Sequence, residues 1–290
     1  MARLRRAIDA ATHTLSDAGV ASARVDAEEL AAHVAGTSRG RLALLDELAD
    51  EFFTRYDGVV GARAKRIPLQ HITGTTAFGP IEVKVGPGVF IPRPETEAVL
   101  EWAVAQERPA HPLIVDLCTG SAALAVALAR QLPSARVIGV EMSADALEYA
   151  SRNVAGTSVE LRRGDVRDPG LFDDLDGRVH LIVANPPYLP DGTQLEPEVA
   201  EHDPPQALFG GPDGTSYIPA ITRLATRWLT DGGLLAVEHD DTASDKVCDL
   251  LVRSGHFENV TARTDFARRP RFVTARRKIA AHARSRKKRV

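Results

Sequence analysis

Apolar residues recur at helical spacing at Leu4, Ile8, Ala11 and Leu15, and the pattern stops at Gly19, which predicts an amphipathic first helix. Asp26 followed by Glu29 has the form of a capping box and predicts a second helix starting there and ending near Gly36. A third helix, over about residues 49–65, offers Leu48, Phe52, Tyr56, Val59 and Val60 to a core, with Pro68 just beyond it. Over residues 75–92 the period becomes two: Ile81, Val83 and Val85 alternate with polar residues between Gly79-Pro80 and Gly86-Pro87-Gly88. That is the pattern of a β-hairpin linker. Apolar runs then alternate with helical stretches. Strands are predicted at 113–117, 135–140, 159–162 and 181–184, with helices at 124–130 and after Ser143. A Pro- and Gly-rich stretch through Pro212 reads as an irregular loop covering a substrate slot. A helix from Tyr217 to Leu229 leads through Asp231-Gly232-Gly233 to a strand at 234–237, and a last strand at 271–275 closes the sheet. Strands alternating with helices predict an α/β fold. The expected divisions are a helical domain at 1–74, the linker at 75–92, the α/β domain at 93–278 and a basic, disordered tail at 279–290.

The run Leu181-Ile182-Val183-Ala184 ends in Asn185-Pro186-Pro187-Tyr188. A strand meeting two prolines must turn outward, because proline brings no N–H to a ladder and fixes φ near about −65°. The tetrapeptide is either a plain strand-ending turn or a pocket of acceptors. In the second reading the Asn185 side-chain oxygen and the Pro186 carbonyl take both hydrogens of a planar NH₂, and Tyr188 supplies an aromatic wall. Such a pocket suits methyl transfer to an amide or exocyclic amine. An amide nitrogen is a poor nucleophile, its lone pair held by the resonance that gives the peptide bond a barrier of roughly 18–20 kcal/mol. Fixing both hydrogens aims that lone pair at an electrophilic methyl roughly 3–3.5 Å away.

A second element lies upstream. The strand ending Asp116-Leu117 opens through Cys118-Thr119-Gly120-Ser121-Ala122 onto a helix, the form of a nucleotide-binding βα turn. Where a Gly-x-Gly-x-Gly spacing is expected, only Gly120 is glycine. Ala122 is tolerable at the packing position, whereas Cys118 puts a side chain at the tight turn. The next strand runs into Glu141, whose carboxylate can accept both ribose hydroxyls of an adenosyl cofactor. A third ends in Gly164-Asp165-Val166, which places Asp165 and its neighbouring backbone at the adenine edge.

The chain resembles the release-factor glutamine methyltransferases over nearly its whole length. The resemblance rests on Asn185 to Tyr188, on residues 68–74 (Pro-Leu-Gln-His-Ile-Thr-Gly), on Phe78-Gly79, and on residues 89–97, which include Arg93-Pro94-Glu95-Thr96-Glu97. It continues through residues 195–199, Ala207-Leu208-Phe209-Gly210-Gly211 and Asp213-Gly214. It implies a Rossmann-like, seven-stranded, S-adenosylmethionine-dependent methyltransferase domain preceded by a small helical bundle that docks the release factor. It further implies methylation of the glutamine amide nitrogen in the Gly-Gly-Gln tripeptide of peptide chain release factors. By motif, Asn185 and Pro186 hold that amide and Pro187 and Tyr188 shape its slot. The loop Cys118, Thr119, Gly120, Ser121, Ala122 carries the methionyl end of the cofactor, Glu141 its ribose, and Asp116, Asp165, Val166 and Asn185 complete the cofactor site. The departures are Cys118 and Ala122 for glycines, Glu141 where aspartate is usual, and Glu238-His239-Asp240-Asp241 in place of a Glu-Ile-Gly-like run. They predict weakened cofactor affinity with an unchanged target.

Composition narrows the alternatives. At 290 residues and 44% hydrophobic content the chain is long enough for two cores. Its two cysteines, Cys118 and Cys248, fit a reduced cytoplasm. No apolar run approaches the roughly 20 residues of a membrane span, so a soluble cytoplasmic protein is expected. Residues 276–290 hold eight Lys or Arg and no acid, which leaves 28 basic against 39 acidic side chains elsewhere. An acidic body is a poor duplex-DNA binder. The tail reads as a solvated end, with weak RNA or ribosome contact as its functional alternative. In the first 75 residues Lys plus Arg and Asp plus Glu each number ten, a balance that suits a protein partner. The rivals are an adenine exocyclic-amine methyltransferase, which should carry a basic target-recognition segment, and a catalytically inactive binding module of the same fold. A dehydrogenase is weaker, because the loop lacks the full Gly-x-Gly-x-x-Gly fingerprint. His71, His202 and His239 lack metal-ligand spacing.

Overall fold

The computed structural model describes residues 2–279; the basic cluster at 284–289 lies outside them. Helices α1 (Ala2–Asp17), α2 (Ala23–Ala35), α3 (Asp50–Ala64) and α4 (Leu69–Thr73) precede a two-stranded hairpin, β1 (Thr75–Phe78) and β2 (Ile81–Lys84). There follow α5 (Glu97–Val104), β3 (Leu113–Leu117), α6 (Ala123–Gln131), β4 (Arg136–Glu141), α7 (Ala144–Val154), β5 (Glu160–Arg163) and β6 (Val179–Ala184). The chain ends through α8 (Pro197–His202), α9 (Pro205–Leu208), α10 (Ile218–Trp228), β7 (Leu229–Glu238), α11 (Ser244–Arg253), β8 (Phe257–Thr264) and β9 (Pro270–Arg277). Two compact units result. The first joins residues 1–75 to 85–87 and 195–203, and the second comprises the rest.

In the helical unit, Leu4, Ile8, Ala11 and Leu15 form the buried face of α1, packed in one core with Leu30, Phe52 and Tyr56. The Tyr56 hydroxyl donates to the Ala27 carbonyl at 2.8 Å, which satisfies the polar tip of a fully buried ring. Helix α2 starts at Ala23, three residues before the expected cap. Asp26 lies inside its first turn, 4% exposed, accepts from the Ser22 hydroxyl at 2.7 Å and pairs with Arg63 Nε at 2.7 Å. A buried guanidinium partner outweighs the cap role the local pattern suggested. Arg63 also donates to Glu198 at 2.8 Å, and Arg66 Nε binds the same carboxylate oxygen at 2.8 Å.

Glu198 sits on α8, within the stretch expected to remain irregular. That stretch instead forms α8 and α9, each with proline in its first turn, where the missing N–H costs no helical bond. Residues 195–203 belong to the helical unit.

The larger unit carries one seven-stranded sheet in the order β5-β4-β3-β6-β7-β9-β8. Strands β3 to β7 are mutually parallel, and β9 runs antiparallel to both its neighbours. The last strand was expected to close the sheet; it lies instead between β7 and an edge strand, β8. Only Phe257 of β8 is buried, so this strand carries no apolar run by which to be recognised. Strand β7 begins at Leu229 and continues through the expected turn, with Gly232 at φ 78° and a register shift against β6 between Val179 and Leu181. Helix α6 is buried from Ala123 through Ala129, and its alanines allow it to lie close against the sheet.

Strand order reverses between β3 and β6, which pair in parallel with Leu117 opposite Ala184. The segments that follow them, residues 118–122 and 185–188, therefore leave the sheet side by side, neighbouring strands being about 4.8 Å apart. A crevice at such a switch point is where open α/β sheets bind ligands.

Candidate active site

Beyond Leu117 the chain turns through three left-handed residues, Cys118 (φ 58°), Gly120 (φ 56°) and Ala122 (φ 64°). These are the positions of the incomplete glycine pattern, so Cys118 and Ala122 adopt a conformation that costs an L-residue about 1–2 kcal/mol each. Thr119 holds the turn: its N–H donates to the Val140 carbonyl at 3.0 Å and its hydroxyl to the buried Asp116 carboxylate. Burial raises the Asp116 carboxyl to about 7, against the bonds from Thr119 and the Ala125 backbone. Burial and the carboxylates of Glu141 and Asp116 push the Cys118 thiol well up, so it stays protonated and is a poor nucleophile.

A Cβ on Gly120 would meet nothing within 4 Å, so the loop faces open space. Glu141 at the end of β4 accepts from Gly120 N at 2.9 Å, Met142 N at 2.8 Å and Ser143 N at 2.9 Å, tying the loop to the start of α7. Asn153 on α7, not anticipated, donates to the Ser121 carbonyl at 2.9 Å and exchanges two bonds with the backbone of Lys84, fastening the hairpin to this loop. Asp165 accepts from the Arg167 backbone and guanidinium, which hold its carboxyl below the usual range, and Val166 is buried. The Arg167 guanidinium lies 5.5 Å from the centre of the Tyr217 ring. Tyr217, raised by burial and influenced by Arg167, Cys118, Asp165 and Glu141, joins this cluster without a signal in the sequence.

At the end of β6, Asn185 is half-buried and Pro186 and Pro187 are buried. Asn185 Nδ2 donates to the Thr96 hydroxyl at 3.1 Å, and the Tyr188 hydroxyl donates to Glu238 Oε1 at 2.9 Å. Glu238 is fully buried at the end of β7. Burial raises its carboxyl to about 7, opposed by the hydroxyls of Thr96 and Tyr188 and the charge of Arg271. Thr96 belongs to the Arg-Pro-Glu-Thr-Glu block, whose separate roles sequence reasoning left open.

The chain after Tyr188 is braced from behind. Leu189 N donates to the Leu208 carbonyl at 2.9 Å, Gly210 N to the Leu189 carbonyl at 2.9 Å and Asp191 N to the Gly211 carbonyl at 3.0 Å. A Cβ on Gly210 would lie 2.5 Å from the Pro187 carbonyl oxygen, and one on Gly214 would lie 2.1 Å from that of Tyr188. Both positions need glycine because backbone packs on backbone. Among the described residues no group of three side chains has metal-binding geometry, and no helix is long and apolar enough to cross a membrane.

Residues 6–74 match the PrmC N-terminal domain family, and residues 114–196 the Methyltransferase domain family. The release factor glutamine methyltransferase of Mycobacterium tuberculosis (strain ATCC 25618 / H37Rv) is 61% identical over 278 residues, covering 94% of this chain and 91% of its own. The chain belongs to the release factor glutamine methyltransferases. The family member from Mycolicibacterium smegmatis is 60% identical over 277 residues, covering 96% and 99% of the two chains. At 39% identity over 269 residues, covering 90% and 91%, stands the 4-amino-L-phenylalanine/4-methylamino-L-phenylalanine methyltransferase of Streptomyces pristinaespiralis.

Members of this family are S-adenosylmethionine-dependent, and the residues present fit that cofactor. The open space above Gly120 admits a ligand close to the backbone, and Glu141 stands at the end of the adjacent strand. The methyltransferase thus brings the loop after β3 and the Asn-Pro-Pro-Tyr turn together at one reversal of strand order.

Proposed function

We propose that this chain transfers a methyl group from S-adenosylmethionine to the side-chain amide nitrogen of the Gly-Gly-Gln glutamine in peptide chain release factors. The observation that carries the reading is the Asn-Pro-Pro-Tyr turn at the end of β6, beside the loop after β3. Bound there, S-adenosylmethionine supplies an electrophilic methyl on a sulfonium. Residues 118–122 hold its methionyl end, Glu141 its ribose, and Asp165 with Val166 its adenine edge. The Asn185 side-chain oxygen and the Pro186 carbonyl take the two hydrogens of the acceptor amide, and Pro187 and Tyr188 shape its slot. The amide nitrogen held by Asn185 and Pro186 would take that methyl, displacing a neutral thioether, and, then strongly acidic, would give its proton to water. No dedicated base is needed, so positioning supplies most of the rate. The helical unit, whose first 75 residues carry ten acidic and ten basic side chains, serves the release factor as a docking surface, and the enzyme works in the cytoplasm.

The test is transfer of labelled methyl to a purified release factor beside a version whose tripeptide glutamine is replaced. Label that depends on the glutamine supports the reading. Label on neither protein, with cofactor bound, overturns it, and 4-aminophenylalanine then becomes the acceptor to try. Asn185→Ala should abolish transfer and leave cofactor affinity within about twofold; near-normal turnover in that variant would refute the acceptor-pocket argument.

A further inference from the structure

The Asn185 amide has two ends, and only its oxygen can accept a hydrogen from an acceptor NH₂. Something must keep that end forward. Its Nδ2 is taken by the Thr96 hydroxyl at 3.1 Å, and Thr96 itself is buried at 4% exposure. Glu238 Oε1 takes the Tyr188 hydroxyl at 2.9 Å, while among the described residues its buried Oε2 has no hydrogen-bond partner, and the Thr96 hydroxyl is the neighbouring donor. An ionised carboxylate accepts only, so the single hydroxyl hydrogen of Thr96 is drawn to the open Oε2 of Glu238. The Thr96 oxygen is then left only to accept, and the group facing it must be the NH₂ of Asn185.

We propose that Thr96 and Glu238 are positioning residues for the methyl acceptor: the buried carboxylate fixes the direction of the chain from Asn185 through Thr96 and so presents the Asn185 carbonyl oxygen to the substrate amide. The proposal rests on the acceptor reading given above and assigns a role to Thr96 within the Arg93–Glu97 block. The same carboxylate accepts from Tyr188 and so anchors the other end of the Asn-Pro-Pro-Tyr turn. Protonated, Glu238 would itself become a donor, and Thr96 would no longer be held to one direction. The charged groups around it are Glu95 from the turn before α5 and Arg271 on β9, the latter facing Asp265 at 3.5 Å. Glu238 titrates near 7 because burial outweighs the hydroxyls and Arg271. Turnover at saturating cofactor therefore falls as pH drops through about 7. Asp116 titrates in the same range, so the effect must be assigned by variant.

The experiment compares Thr96→Val, Thr96→Ser and Glu238→Gln for cofactor affinity by calorimetry and for single-turnover methyl transfer from pH 5.5 to 9. Thr96→Val should lower the transfer rate on the order of ten- to hundredfold with cofactor affinity within about twofold, and Thr96→Ser should recover most of it. Glu238→Gln should lose the part of the acid limb that belongs to Glu238. Thr96→Val at wild-type rate, failure of the serine to rescue, or a Glu238→Gln profile that superimposes on wild type overturns the proposal. The Asn185 side-chain NH₂ resonances of the cofactor-bound chain, recorded without any acceptor, keep the two readings apart. They should move with pH near 7 in wild type and stay fixed in Glu238→Gln. If they do so while no release factor is methylated, the acceptor assignment falls and the positioning role stands; if they ignore pH in wild type, the positioning role falls.

Discussion

Replacing Gly210 by alanine should impair catalysis without unfolding the protein. The added Cβ would stand 2.5 Å from the Pro187 carbonyl oxygen, 2.8 Å from that of Gly214 and 2.9 Å from Tyr188 Cα. All three obstacles are backbone, so none can swing aside. Ordinary contact begins near 3.4 Å, so Pro187 and residue 210 must separate by about 0.9 Å. A misplacement of about 1 Å at a reacting centre costs on the order of a hundredfold in rate, about 2.7 kcal/mol of barrier. Single-turnover methyl transfer should fall by that order, while cofactor affinity, assigned above by proposal to the loop after β3, should change less than threefold. Gly58→Ala is the control: it is exposed on α3 with nothing within 4 Å of its Cβ, and it should stabilise that helix by up to about 1 kcal/mol. A Gly210→Ala enzyme that transfers methyl within threefold of wild type would refute the view that residues 208–214 set the position of the turn.

Arg63→Ala should destabilise the helical unit by about 3–5 kcal/mol, because it strands Asp26 without its cation; hydrogen exchange of α2 and α3 amides measures it, and a change below about 1 kcal/mol would contradict the geometry. Against burial, which pulls the other way, Arg66 and Arg63 hold the Glu198 carboxyl down at about 2. Its stabilising contribution is therefore complete above the ordinary glutamate range near 4.5 and is lost as pH falls toward about 2. Acid unfolding of the intact chain should accordingly lose that component in Glu198→Gln, and an unaltered acid transition would argue against it. Cys118→Gly removes a left-handed strain of about 1–2 kcal/mol at an unfolded-state cost of about 0.5–1 kcal/mol. Its activity should equal or exceed wild type, and a complete loss would mean that the thiol acts in the reaction.

What could be read from the sequence was local. The buried face of α1 follows from one helical period, and strands β4, β6 and β7 contain the apolar runs 137–140, 181–184 and 234–237. Strand β8 offered no such run, because an edge strand with one buried residue looks like polar coil. The ion-pair cluster was hidden for a different reason: Asp26 and Arg63 are 37 residues apart, and Arg63 and Glu198 are 135 apart. No local pattern registers a pairing at that separation, so Asp26 resembled a helix cap. The same distance conceals the path from Asn185 to Thr96, 89 residues earlier, although both lie in motifs that stand out singly. Gly210 and Gly214 were visible as part of a motif, but their reason, a backbone that leaves no room for a Cβ, exists only in the folded chain.

The ion-pair cluster of the helical unit joins Arg63 and Arg66 to Glu198, 132 residues after Arg66. At about 5–20 residues per second of synthesis, some 7 to 26 s separate the two. During that interval α2 and α3 hold Arg63 and Asp26 with one carboxylate missing, while strands β3 to β6 of the other unit have already been made. The helical unit is thus completed only after strands β3 to β6 have been made. Its final stability is coupled to successful synthesis of residues 195–203, downstream of the Asn-Pro-Pro-Tyr turn.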